Sequence, residues 1–167
     1  MDLLTSKLIS SLEHSTIIYE TPSTASPPES ANKNASFAAV PSTGPGLLRL
    51  SWNKQDPNYI ATFHQESSSV LILDIRVPAV PVTELHGHNG CLTSIGWSPH
   101  SSDHICTAGY DSQALVWDIS HSTKQKQNCE PLLSYTAASE INQLSWSSVS
   151  PDWVGISHGG TVQALKV

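Results

Sequence analysis

The stretch GHNGCLTSIGWSPHSSDHICTAGYDSQALVWD, residues 87–118, decides the fold. It holds three short runs that mix apolar with small or polar side chains, at residues 91–97, 104–108 and 114–119 (the last extends one residue past the stretch). Between the runs lie turns rich in Gly, Pro, Ser and Asp. This alternation over short segments is typical of β-strands joined by tight turns, so the stretch predicts a small antiparallel sheet.

The same plan occurs before and after this stretch. LLRLSW ends at Trp52, CLTSIGW at Trp97 and INQLSW at Trp146, so the three tryptophans stand 45 and 49 residues apart. A fixed period of about 45 residues with three or four strands per unit is typical of propeller blades. We therefore predict an all-β fold with about three four-stranded antiparallel blades, at about 47–85, 86–137 and 138–167, in a ring that is not closed.

The predicted strands are 47–53, 59–64, 69–75 and 82–85 in the first unit, 91–97, 104–108, 113–119 and 131–136 in the second, and 141–147, 153–157 and 161–167 in the third. Helix is expected to be scarce.

The amino-terminal residues differ from these units. Within residues 1–20 only Ser15–Glu20 (STIIYE) has the composition of a strand, and we predict one outer strand there. Residues 21–46 are rich in Pro, Ser and Thr and almost free of large apolar side chains, which predicts a disordered insert. The third unit ends after three strands. We therefore expect two open blade faces, rich in Val, Ile, Leu and Trp, and self-association through them.

Composition excludes two classes of partner. The chain has 8 Lys and Arg against 14 Asp and Glu, for a formal net charge of −6, and its basic residues do not cluster. This argues against nucleic-acid binding, which needs a basic surface. No apolar run is long enough for a membrane span or a secretory signal, so we expect no membrane contact and a cytoplasmic and nuclear protein. Cys91, Cys106 and Cys129 are predicted to be reduced thiols.

The sequence carries no motif of an enzyme site. The nucleophile elbow, the phosphate-binding loop and the zinc-binding helix motif are all missing from it. His86 and His88 flank a glycine in a turn without a carboxylate or thiol at ligand spacing, and His100 and His104 fall in a polar turn. We predict no catalytic residue, no cofactor and no metal.

The dipeptides Gly87-His88 and Trp117-Asp118, with 29 residues between the His and the Trp, resemble the signature of the WD-repeat family. The chain is more closely similar to the carboxy-terminal half of the plant transparent-testa-glabra proteins and their animal and fungal relatives. The similarity lies in LEHSTIIYE, WNKQDPNYIAT, VLILDIRVP, SPHSSDHICTA, QALVWDI and PDWVGIS. Members of that family are complete propellers and longer than this chain.

The resemblance implies a structural hydrogen-bond network of His88, Thr107, Asp111 and Trp117. Such a set satisfies both nitrogens of a buried imidazole and the indole N–H, which fits a role in stability rather than catalysis. Gly109 occupies a position where the family often has a hydroxyl residue.

The resemblance also implies a candidate partner-binding pair, Asp74 and Arg76. In family members that are substrate receptors of cullin-4 ubiquitin ligases, an Arg two residues after such an Asp meets the ligase adaptor. A guanidinium suits pairing at an interface. Here Leu73 replaces the family's Trp, and the alternative that Arg76 only neutralises Asp74 stays open.

The function implied by the resemblance is a non-catalytic scaffold that presents protein-binding surfaces on a rigid propeller. The implied partners are transcription factors of the basic helix-loop-helix and MYB types and protein kinases of the dual-specificity class. Two alternatives stay open. One is a substrate receptor of a cullin-4 ubiquitin ligase, which would bind the cullin-4 adaptor, and the other is a truncated gene product without independent activity.

Overall fold

The computed structural model describes residues 45–77, 80–120 and 129–167. These ranges contain eleven β-strands and no helix, arranged in three antiparallel sheets. The first sheet contains β1 (Leu47–Trp52), β2 (Tyr59–His64), β3 (Ser69–Asp74) and β4 (Thr83–His86). The second contains β5 (Leu92–Trp97), β6 (His104–Gly109), β7 (Gln113–Asp118) and β8 (Leu133–Thr136), and the third contains β9 (Ile141–Trp146), β10 (Trp153–His158) and β11 (Thr161–Lys166).

Each sheet is a meander in which consecutive strands are neighbours. The pairing of the first two strands shifts by one residue at the same place in every sheet, next to Arg49, Ser94 and His158. A bulge of this kind adds local twist to a strand pair. The repeat in the sequence is therefore also a repeat in backbone geometry.

The all-β fold of partial propeller type, with open rather than barrel-forming sheets, is confirmed. The observed strands agree with the predicted ones to within two residues at each end. The predicted strand Ser15–Glu20 and nearly all of the predicted insert at 21–46 lie outside the described residues. The boundaries of the N-terminal segment and of the three units stay predictions.

Two clusters of buried side chains hold the sheets together. One lies between the first and second sheets and includes Phe63, Ile105 and Trp117, and the other lies between the second and third and includes Cys106 and Val154. Because side chains alternate along a strand, Ile105 and Cys106 on β6 face opposite neighbours. The second sheet is thus covered on both faces, and each fully buried large side chain contributes about 1.5–3 kcal/mol.

The first and third sheets each turn one face away from the second. We call the face of the first sheet that carries Leu47, Leu50 and Trp52 the leading face; Leu50 is 71% exposed there. The face of the third sheet that carries Ser145, Trp153, Gly155, Ser157, Val162, Ala164 and Lys166 is the trailing face. Large apolar residues were expected on both. On the trailing face Trp153 and Val162 are 40% and 82% exposed, and the residues between them are small.

Candidate functional site

Asp74 and Arg76 form a closed fork at the end of β3. The Arg76 Nε lies 2.9 and 3.1 Å from the two carboxylate oxygens of Asp74, and Nη2 lies 2.6 Å from Oδ2. The backbone N–H of Arg76 donates to Oδ1 at 2.9 Å. The Asp74 side chain is 12% exposed and that of Arg76 is 59% exposed. The guanidinium is therefore fixed in orientation and still accessible to a partner.

The electrostatics of this pair follow from the fork. The side-chain hydrogen bond from Arg76 is the main cause of a lowered pKa at Asp74, and the same bond raises the pKa of Arg76. Both groups keep their charges throughout the physiological range, so acidification above the lowered carboxyl pKa leaves the fork intact. Val77 and Val80 beside it are 62% and 59% exposed. We call Arg76, Val77 and Val80 the Arg76 rim.

The turn after β3 does not require an arginine. At the matching place after β7, the N–H of Ser120 donates to Asp118 Oδ1 at 2.9 Å, as the N–H of Arg76 does to Asp74. An Asp that accepts an N–H two residues later is enough to form this type of turn. The Arg76 side chain is thus an addition to a turn that forms elsewhere in the chain without it.

The four residues of the expected network lie in contact. His88, which precedes β5, approaches Asp111 with Nδ1 at 2.9 Å from Oδ2, and its Nε2 lies 2.8 Å from Thr107 Oγ1. Trp117 Nε1 donates to the same Thr107 oxygen at 2.9 Å. The N–H of Asn89 also donates to Asp111. The structure thus joins β6 and β7 to the loop before β5 through these side chains.

The hydrogen-bond inventory defines the protons in this network. Thr107 Oγ1 accepts the indole N–H, so its single proton is available for His88 Nε2, and His88 Nδ1–H donates to Asp111. A neutral imidazole satisfies every group. A doubly protonated ring would leave the hydroxyl proton of the fully buried Thr107 without this acceptor. The network therefore favours neutral His88.

The pKa shifts agree with this proton arrangement. Burial lowers the pKa of His88 against the opposing effect of the Asp111 carboxylate. At Asp111, burial acts to raise the pKa, but hydrogen bonds from Asn89 N–H, His88 and Gln113 N–H outweigh it, and the pKa is lowered. His88 is thus neutral and the carboxylate of Asp111 is ionised.

The lack of space around Gly109 explains why this chain has no hydroxyl residue at that position. A Cβ there would lie 2.9 Å from Asp111 Oδ1 and 3.1 Å from His88 Nδ1, inside the network. The hydroxyl that bonds His88 comes instead from Thr107, two residues earlier.

A second polar network was missed by the sequence reasoning. Ser139 Oγ lies 3.3 Å from His158 Nδ1, His158 Nε2 lies 3.2 Å from Gln163 Oε1, and Tyr135 donates its O–H to that oxygen at 2.9 Å. The network ties β8 of the second sheet to β10 and β11 of the third. The third unit lacks the Gly-His pair of the second, and no motif joined these four residues in the sequence.

Two of the three repeated tryptophans make the same hydrogen bond across a sheet junction. Trp97 Nε1 donates to the Ser51 carbonyl of the first sheet at 3.0 Å, and Trp146 Nε1 donates to the Gly96 carbonyl of the second sheet at 2.8 Å. Each indole thus reaches the residue just before the tryptophan of the preceding unit. Trp52 donates to Pro57 in its own sheet at 2.8 Å. Sequence reasoning had used these residues only as markers of strand ends.

Two other reactive side chains among the described residues have structural surroundings. Burial raises the pKa of Cys106 to about 12, so this thiol is unreactive at neutral pH. Ser101 Oγ lies 2.7 Å from His104 Nδ1, but it also accepts the Asp103 N–H within the same turn. The described part of the chain holds no group of three His, Cys, Asp or Glu side chains that could bind a metal. It also contains no helix long and apolar enough to cross a membrane.

Comparison with known proteins finds several relatives. The chain is 53% identical over 156 residues to the DDB1- and CUL4-associated factor 7 homolog of Dictyostelium discoideum, which covers 93% of this chain and 41% of that protein. It is 32% identical to an uncharacterized WD repeat-containing protein of Schizosaccharomyces pombe, over 94% of this chain and 44% of that one. A WD repeat-containing protein of Saccharomyces cerevisiae is 38% identical over 67% of this chain and 21% of its own length.

The chain therefore spans less than half the length of the curated relatives it matches. No family model matches it.

Proposed function

This chain belongs to the WD-repeat family, and from that premise we propose that it is a non-catalytic scaffold that binds other proteins through the rims of its sheets. The observation that carries the proposal is a frame of three sheets held by two buried clusters, which leaves several rims exposed, and the Arg76 rim is one of them. A guanidinium held by Asp74 beside two exposed valines combines a charged fork with apolar area, as binding hot spots do. WD-repeat homologues are generally scaffolds without enzymatic activity, and we extend this to the present chain.

For the scaffold we propose two classes of partner, which are transcription factors of the basic helix-loop-helix and MYB types and dual-specificity protein kinases. We place the protein in cytoplasm and nucleus, without nucleic-acid or membrane contacts of its own. Capture of these partners by the purified chain, and fluorescence microscopy of the tagged chain, test these statements. Self-association through the leading and trailing faces is a further part of the proposal.

A second candidate is reception of substrates for a cullin-4 ubiquitin ligase. The name of the Dictyostelium relative, which associates that protein with DDB1 and CUL4, favours it, as does the exposed fork of Arg76. In this case Arg76 would contact the ligase adaptor while the remaining rims hold substrate. The third candidate, a truncated product without independent activity, predicts that none of these partners binds.

The test uses purified DDB1 and the full chain. We expect Arg76→Ala to weaken binding to DDB1 at least tenfold and Arg76→Lys to weaken it nearly as much, because an ammonium cannot reproduce the fork. Lys54→Ala, which removes another exposed cation, is the matched control. Equal binding by wild type and Arg76→Ala rules out the ligase contact. Partner capture that persists in Arg76→Ala then supports the scaffold.

A further inference from the structure

The residues around the three tryptophans have the same positions in every unit. Counting back from each tryptophan, Leu50, Ile95 and Leu144 stand two residues before it. Ile95 and Leu144 both pack into the clusters between sheets. Leu50 and Trp52 lie on the leading face, where Leu50 is 71% exposed. The leading face thus presents the side chains that make a sheet junction in the other two units.

The residue just before each tryptophan is small. It is Ser51, Gly96 and Ser145 in the three units, and the carbonyls of the first two accept indole N–H groups from the following sheet. A Cβ on Gly96 would lie 3.1 Å from Leu144 Cδ1, so the junction needs a small side chain here. Ser145 is small and exposed on the trailing face. It provides the acceptor half of a third junction.

The strands behind this acceptor match as well. The face of the second sheet that receives β9 is built from the cross-strand pairs Cys106–Val116 and Ala108–Ala114. On the trailing face the corresponding pairs are Gly155–Ala164 and Ser157–Val162. Both sets are uncharged, and they occupy the same register behind the acceptor strand. The next pair toward the end of each sheet is polar, His104–Asp118 in the second sheet and Trp153–Lys166 in the third. The trailing face therefore has the shape and polarity of a surface that receives a leading face.

We propose that two copies of this chain associate head to tail, with the leading face of each seated on the trailing face of the other. In each junction Leu50 packs over the Gly155–Ala164 and Ser157–Val162 pairs. Trp52 Nε1–H exchanges the Pro57 carbonyl for the Ser145 carbonyl of the second copy. This inference rests on the self-association proposed above and names the residues that would make the contact. It does not depend on Arg76 or on the binding of another protein.

The count of sheets gives the stoichiometry. A contact between two different faces either closes into a ring or continues into a filament. The described residues of each copy form three sheets, so two copies supply six of these, within the range of about four to eight blades found in closed propellers, and three copies would exceed it. We therefore expect a dimer with two identical junctions rather than a filament.

The experiment compares single and mixed variants by light scattering after size exclusion. Leu50→Asp places a charge on the leading face, and Ala164→Arg places one on the trailing face. Each variant alone should be monomeric, with the dissociation constant of the dimer raised at least tenfold. An equimolar mixture should recover the dimer, because one junction is then wild type and the other pairs Asp with Arg. Val149→Asp, at an 87% exposed site away from both faces, is the control and should stay dimeric.

A wild-type chain that is monomeric at tens of micromolar overturns the proposal. A dimer that is unaffected by Ala164→Arg also overturns it, because two leading faces would then be in contact. Far-UV circular dichroism of each variant identifies a folding defect, in which case Ser157→Arg or Leu47→Asp replaces it on the same face. DDB1 and partner capture do not depend on these positions, so a failed dimer leaves the proposed scaffold intact.

Discussion

At the scale of single residues, the His88 network concentrates the stability of the second sheet in a few atoms. His88 and Thr107 are buried, and each nitrogen of the His88 ring has its partner on one other side chain of the network. Chains of hydrogen bonds in such surroundings are strong when complete and costly when interrupted.

Asp111→Ala should lower the free energy of unfolding by about 1–3 kcal/mol, because it leaves the buried Nδ1–H of His88 and the Asn89 N–H without their acceptor. Urea denaturation measures the change. Asp103→Ala, in the turn between β5 and β6, is the control and should change stability by less than about 0.5 kcal/mol. A loss equal to that of the control would mean that the network does not stabilise the sheet.

The network also predicts a pH dependence. The pKa of His88 is lowered in the folded chain, so below the unfolded value of about 6.5 the unfolded chain binds more protons and stability falls. The lowered pKa of Asp111 adds a second loss below about 3.9. Urea denaturation between pH 7.5 and 5 should give a steeper fall for wild type than for His88→Gln. Equal slopes would contradict the prediction.

At the scale of elements, the close approach of β4 to the second sheet depends on Gly87. A Cβ on this residue would lie 2.7 Å from Cη2 of the buried Trp117 ring, which cannot move aside cheaply. Gly87→Ala should therefore destabilise the chain by about 1–3 kcal/mol, as overpacked cores do. Gly160→Ala, with open space around it, is the matched control for thermal unfolding. Similar melting temperatures for both variants would show that the backbone relaxes there.

The indole bonds make a further prediction about how sheets dock. Trp146→Phe keeps a large ring but leaves the Gly96 carbonyl without its donor, which should cost about 1 kcal/mol and loosen the third sheet. Trp52→Phe loses only a bond to Pro57 at an exposed site and should cost much less in the monomer. Guanidinium denaturation compares the free energies of unfolding of the two variants. Equal losses would show that the Trp146 indole bond does not help to hold the third sheet on the second.

The sequence predicted the elements better than their contacts. The alternation of apolar and polar side chains along segments such as residues 104–108 and 113–119 is typical of strands. The positions of the strands could therefore be predicted from it. The resemblance to the family, which Gly87-His88 and Trp117-Asp118 carry, also implied a network of His88, Thr107, Asp111 and Trp117. The Ser139–His158–Gln163–Tyr135 network could not be predicted, because it depends on how the second and third sheets approach each other. The exposure of the trailing face could not be predicted either, because alternation along a strand does not show whether another sheet will cover it.

At the scale of the whole molecule, the second sheet is covered on two faces and its neighbours on one. Native-state opening occurs most easily where few buried contacts must be lost. We therefore expect amide hydrogens of β6 and β7 to exchange most slowly and those of β11 most rapidly. Hydrogen-exchange mass spectrometry in Leu50→Asp, which should be monomeric, is the measurement. Uniform protection across the three sheets would contradict this order.

The acceptors in the sheet junctions are main-chain carbonyls, and a mutation cannot delete a carbonyl. In the two junctions of this chain the acceptor is a serine and a glycine, while the donor is a tryptophan each time. Substitutions on the acceptor side thus change the fit only through their bulk, whereas loss of the indole removes the bond outright. Duplicated units of such a chain are free to diverge on one side of every junction and still dock on their neighbours, which leaves their outer surfaces open to acquire new partners.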